Sequence, residues 1–185
     1  MDFKSRHFKS IDFKSKSKSK CCHPNTTLKY LNLRDTKVQM LPKSIGKLQN
    51  LETLDLKRSL VSELPTEISR LRKLRYLVAY IENTNIKVSI DAVQAVKIHS
   101  GIGRLQSLQK LFKIEANNTS LIEELGGLGQ LRKLEISKMK RENGVALCTT
   151  LEKMNHLQSL RKKFLNYNQC LLLHPSYKLF PYLGG

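Results

Sequence analysis

Cys21, Cys22 and His23 stand side by side, the densest set of metal-ligating side chains in this 185-residue chain. Adjacent residues are too crowded to close on one ion by themselves, because paired zinc ligands are separated by two or more residues. The five histidines, at 7, 23, 99, 156 and 174, are scattered, and no two bracket a carboxylate at the spacing of a helical zinc site. Cys148 falls beside Leu151 and Met154, which reads as a small buried hydrophobe with no base arranged to activate it. Gly101-x-Gly103 and Gly126-Gly127-x-Gly129 could approach a phosphate, yet neither carries the Gly-Lys-Ser/Thr that completes a phosphate-cradling loop. No paired carboxylates stand out from surface charge. The groups capable of chemistry therefore imply no reaction, no cofactor and no metal, and the chain reads as a non-enzyme.

Whatever these groups do, a repeat must position them. From Leu28 the chain runs LKYLNLRDTKVQMLPKSIGKLQN and then LETLDLKRSLVSELPTEISRLRK. Leu28, Leu31, Leu33, Val38, Leu41, Pro42, Ile45 and Leu48 return as Leu51, Leu54, Leu56, Val61, Leu64, Pro65, Ile68 and Leu71, a constant offset of 23 residues. In L-x-x-L-x-L the last leucines alternate with polar residues, which makes a short strand with one buried face. Leu-Pro then fixes an extended turn, and the Ile and Leu three apart that follow suit one helical or 3₁₀ turn. One unit cannot bury its leucines alone, so neighbours must stack. The pattern predicts an α/β fold: a leucine-rich-repeat solenoid of about five repeats, with a parallel β-sheet on the concave face and irregular, 3₁₀ or short helical convex segments.

Residues between the leucines point out of the concave face. They are Tyr30, Asn32, Arg34 and Asp35 in the first unit and Thr53, Asp55, Lys57 and Arg58 in the second. The third adds Tyr76, Val78 and Tyr80, the fourth Lys110 with Phe112 as a further candidate, and the fifth Lys133, Glu135, Ser137 and Lys138. Stacking turns them into columns. Aromatic and arginine side chains are common interface anchors, and the concave side of a solenoid is its usual binding surface, so these residues are the candidate partner-binding site.

Later units deviate informatively. The third begins at Leu74, Leu77 and Ala79, lapses from Glu82 to Ser100, and resumes toward Leu108, which implies an insertion near 82–100. The fourth places Lys113 where an inward aliphatic belongs; either Phe112 and Ile114 supply the buried face or the strand bends. The fifth starts at Leu131, Leu134 and Ile136, and a sixth at Leu157 and Leu160 before Arg161-Lys162-Lys163 breaks the pattern. Three parts are expected: 1–27, a disordered basic Lys/Ser/Phe tail; 28–160, the array; and 161–185, an irregular tail or improvised cap.

The net charge is +18, of which the tail holds +5. The remaining +13 includes Leu-Arg-Lys-Leu at 71–74 and again at 131–134, basic edges that a polyanion or an acidic protein domain would feel. Without an aromatic stacking platform or a nucleic-acid module, an acidic protein neighbour is the preferred partner over nucleic acid. No run approaches the roughly 18 apolar residues of a membrane span. Four cysteines without framework spacing and no secretory signal point to a reducing, cytoplasmic compartment, where acceptor motifs at Asn25, Asn117 and Asn118 stay silent. The basic tail leaves nuclear import or a weak membrane-surface contact as alternatives.

The form running from Leu28 to Leu51 resembles the repeat region of plant coiled-coil, nucleotide-binding, leucine-rich-repeat disease resistance proteins. GIGRLQSLQKL (101–111), LIEELGGLGQLRKLEISKM (121–139) and ALCTTLEKMNHLQSL (146–160) are similar to the same family's mid-array repeats. The resemblance covers about residues 28–160. It implies an intracellular immune receptor whose repeats sense a pathogen effector or a guarded host protein and restrain a nucleotide switch. The switch's phosphate-binding loop and the coiled coil have no counterpart here, so a partial or truncated resistance protein is expected. The first motif is shared with repeat proteins that dock small GTPases, which makes a signalling scaffold the rival, and a basic nucleic-acid binder the second.

Overall fold

The computed structural model describes residues 27–82 and 93–164, without the side chains of Val93 and 162–164. The expected basic tail as far as residue 26, residues 83–92 of the expected insertion, and the chain from 165 onward lie outside the described residues.

Each leucine pair builds a strand: β1 (Tyr30–Asn32), β2 (Thr53–Lys57), β3 (Tyr76–Glu82), β5 (Lys110–Glu115), β6 (Lys133–Met139) and β7 (Ser159–Phe164). They lie in that order, every neighbouring pair parallel. The short β4 (Val93–Gln94) runs antiparallel along the end of β3. Parallel neighbours require the chain to return over the far side between strands, and the repeat supplies that return. Leu31, Leu54, Leu77, Leu111, Leu134 and Leu160 are successive register partners. Leu54, Leu77 and Leu111 are fully buried, each contributing roughly 1.5–3 kcal/mol by leaving water.

On the convex side Pro42 and Pro65, at φ −70° and −66°, lead into 3₁₀ turns Lys43–Lys47 and Thr66–Arg70. Ile45, Ile68 and Ile102 enter the core from these turns and their successor, Ile102–Arg104. The later repeats carry true helices, α1 (Thr119–Leu125) and α2 (Gly144–Glu152). Asn118 caps α1 by accepting a 2.8 Å hydrogen bond from the Ser120 amide. Successive turns come so close that a Cβ on Gly103 would sit 2.6 Å from the Glu124 carbonyl oxygen, and Gly101 adopts φ +85°. These glycines serve packing between convex turns.

Two irregularities bear on the face. The register shifts between Phe112 and Ile114, with Lys113 at φ 63°. This bulge absorbs one residue; Ile114 drops into the inward slot opposite Ile136 and is fully buried, while Phe112 stays on the outer face. Of the two alternatives open for Lys113, the strand bulges and Ile114, without Phe112, fills the core. The described end of the insertion packs as an extra rung: Ala95, Val96 and Ile98 are buried, Val96 bridges Ile114, and Lys97 bridges Glu63. The array boundary expected at 160 falls inside a strand. β7 pairs with β6 through Met139–Phe164, because backbone pairing continues where Arg161 and Lys162 end the aliphatic pattern.

Candidate protein-docking face

Parallel sheets are ordinarily covered by helices on both faces; here the convex segments cover only one. On the other, strand alternation and register make columns. Tyr30, Thr53, Tyr76, Lys110 and Lys133 form the first, and Asn32, Asp55, Val78, Phe112 and Glu135 the second. Lys57 and Tyr80 are partners in a third. Arg34, Asp35 and Arg58 follow the strands, at the turns that carry the chain away, while Lys138 lies within β6 where its pairing with β7 is irregular; Asp35, Arg58 and Lys138 all have positive φ.

The sixteen expected residues differ in accessibility. Tyr30, Asn32, Arg34, Asp35, Arg58, Tyr76 and Lys133 are exposed, and Thr53, Lys57, Tyr80, Lys110, Glu135 and Lys138 are half-buried. Asp55, Val78 and Ser137 are buried, so they form the floor of the face and not its rim. Cys148, expected inside the core, is only half-buried on α2.

Charges on the face are laddered from repeat to repeat. The Asp35 carboxylate takes two hydrogen bonds from the Arg58 guanidinium, 2.5 Å from Nε and 2.8 Å from Nη2. These bonds hold the Asp35 carboxyl below the usual carboxylate range and push the Arg58 guanidinium further up. Arg34 Nη2 donates to Asp55 Oδ2 at 3.0 Å, while Asp55 Oδ1 accepts the Lys57 amide at 3.0 Å. Lys138 Nζ donates to Glu115 Oε1 at 2.5 Å, and Lys113 Nζ lies 3.7 Å from Glu135 Oε1. At the centre, the Tyr80 and Phe112 ring centroids are 6.2 Å apart at 55°. Lys110 Nζ stands 5.6 Å from the Phe112 centroid, and the Arg75 guanidinium 5.6 Å from that of Tyr76.

Sequence reasoning missed Lys113, Glu115 and Arg75 as members of this network. For Glu115 a signal was present, since it precedes Lys138 by the same 23 residues that separate Asp35 from Arg58. Away from the face, the convex turns border a groove of about 1060 Å³ that includes Glu67, Arg70, Arg104 and Glu124. Its charges are mixed, and Glu124 is already engaged by the Gly101 amide at 2.6 Å. Among the described residues no three His, Cys, Asp or Glu side chains gather as for a metal, and no helix is long and apolar enough to cross a membrane.

The family profile described as a leucine-rich repeat region matches residues 7–179. The chain is similar to Disease resistance protein Pik-2 of Oryza sativa subsp. japonica, 29% identical over 141 residues, covering 63% of this chain and 14% of that protein. It is also similar to Disease resistance protein RPH8A of Arabidopsis thaliana, 29% identical over 154 residues, covering 75% of this chain and 17% of that one. The chain thus spans under a fifth of the length of these curated relatives. Among solved structures it is similar to the Leptospira interrogans LRR protein LIC12759, with TM-score 0.53 and 25% identity over 76% of this chain and 33% of that one. The laddered leucines and the matching profile lead to one conclusion: this chain belongs to the leucine-rich-repeat family.

Proposed function

We propose that the chain is a non-catalytic protein-interaction module of plant defence, the repeat portion of a resistance protein, which binds its partner along the concave face in the cytoplasm. One observation carries the reading: an in-register parallel sheet whose outer face no helix covers among the described residues, studded with Tyr30, Tyr76, Arg34 and Lys57. Relatives named as disease resistance proteins support the defence role. A pathogen effector, a guarded host protein or an acidic nucleotide-binding domain of the same receptor would meet the surplus of positive charge.

The test is a pull-down with purified chain against effector and host-protein candidates, alongside small GTPases. Capture of a defence candidate, weakened by Arg34→Glu combined with Lys57→Glu in a variant of unchanged circular dichroism, is the expected result. Unchanged capture by the variant would exclude this face. Retention of GTPases alone would favour a general signalling scaffold.

A further inference from the structure

The centre of the concave face differs from its surroundings in both charge and polarity. Val78 and Phe112 are register partners on β3 and β5, and Tyr80 tilts against Phe112, so three largely apolar side chains meet near the middle of a sheet face whose other tyrosines, Tyr30 and Tyr76, stand exposed. Around them, Asp55 is held by Arg34 and Glu115 by Lys138, while Glu135 has Lys113 at 3.7 Å from Oε1 and keeps Oε2 buried without a hydrogen-bond partner. Three ammonium groups are not held in this way. Lys57, Lys110 and Lys133 have no acidic partner among the described residues, and Lys110 instead stands over the Phe112 ring. Lys110 and Lys133 are register partners, their strands about 4.8 Å apart, while Lys57 flanks Tyr80 from the other side.

An apolar spot inside a triangle of unneutralised cations selects its ligand by chemistry. We infer that this spot receives a short extended acidic segment of a protein partner, one large apolar side chain seated on Tyr80 and Phe112 and flanking carboxylates reaching Lys57, Lys110 and Lys133. Each contact replaces something the free chain lacks: cover for half-buried rings, and a counter-charge for the lysines. A nucleic acid fits less well. Its unbroken phosphate chain would run past the carboxylate of Glu135, the register partner of Phe112. Rings tilted at 55° do not offer parallel platforms for successive bases. The inference rests on the concave-face reading above and narrows it to a ligand class.

The experiment is fluorescence anisotropy with the full chain and a labelled peptide, Glu-Asp-Glu-Trp-Glu-Asp-Glu. The comparison probes are the same peptide with Ala in place of Trp, and an oligouridylate of about twelve nucleotides. Saturable binding is expected, weakened about tenfold or more by Phe112→Ala and again by Lys110→Glu, as loss of an anchor and of a desolvated charge partner requires. Lys110→Glu sits at the rim and serves as the variant should Phe112→Ala not fold. Equal affinity for the Ala peptide, tighter binding of the oligouridylate, or binding indifferent to Lys110→Glu overturns the inference. A partner captured in the pull-down and lost with Arg34→Glu and Lys57→Glu, but not with Phe112→Ala, would leave the face standing and remove this ligand class.

Discussion

Arg58 clasps Asp35 through two nitrogens, Nε to Oδ1 and Nη2 to Oδ2, across one rung of the solenoid. Both residues have positive φ, 52° and 57°, and both occupy the same repeat position. Aspartate tolerates this left-handed backbone well; arginine does so less readily. The ion pair therefore sits where two equivalent turns stack, and it aligns the rims of the first two repeats.

The first prediction concerns protonation. Hydrogen bonding from Arg58 lowers the Asp35 pKa in the folded chain. A group depressed on folding contributes stability that is present above its unfolded value, about 3.9, and is lost as pH falls through the lower folded value. Side-chain carboxyl titration by NMR should place Asp35 below the ordinary aspartate value, and Arg58→Gln should raise it. An Asp35 midpoint unmoved by Arg58→Gln would mean that the clasp does not persist in solution.

The leucine ladder predicts a gradient along the solenoid. Leu54 is fully buried, with a register partner on each side, Leu31 and Leu77. Leu31 is half-buried on β1, the first described strand, with Leu54 as its one register partner among the described residues. Leu54→Ala should cost about 2–5 kcal/mol and Leu31→Ala clearly less, measured by urea unfolding. Equal losses would mean that the rungs do not act as a stacked array.

How far the sequence reached can be judged from particular residues. The 23-residue period placed Leu31, Leu54, Leu77, Leu111 and Leu134 in one row, because identical spacing forces identical return paths, and the profile and solved relative agree with that fold. Alternation also marked which side chains leave the core. Depth was not legible. Asp55, Val78 and Ser137 lie on the predicted face yet are buried, since cover comes from neighbours one strand away whose size no single strand reveals. The bulge at Lys113 was visible only as a misplaced lysine; Ile114 in the core and Lys113 near Glu135 both follow from it. The packing of Val96 against the end of β5 depends on a contact between segments of different repeats, which periodicity does not encode.

Glycines on the convex side give the third prediction. A Cβ at Gly103 would lie 2.6 Å from a backbone oxygen, that of Glu124, which cannot swing away as a side chain does. At Gly129 nothing lies within 4 Å. Gly103→Ala should destabilise by about 1–3 kcal/mol, as overpacking does, while Gly129→Ala should be neutral or raise stability by up to about 1 kcal/mol through the unfolded chain. Thermal denaturation of the two variants compares them directly. A harmless Gly103→Ala would show the adjacent turns to be looser than the packing at this point requires.

The last prediction tests whether the cross-rung ion pairs are structural. Glu115 is 4% exposed, and Lys138 supplies its hydrogen bond from the next strand, 2.5 Å from Nζ to Oε1. A carboxylate at that depth loses water on folding and depends on its cation, so removing the lysine leaves a poorly compensated charge. Lys138 also has φ 54°, and Lys138→Ala keeps a Cβ there, so the substitution alters the side chain without changing the backbone's burden. Lys138→Ala should cost about 1–3 kcal/mol, the penalty of an unsatisfied buried polar group. Adding Glu115→Gln, which removes the charge that lacked a partner, should recover a measurable part of it. A double-mutant cycle by chemical denaturation reads the coupling, and purely additive losses would show that the two side chains stabilise the sheet independently, each through its own packing.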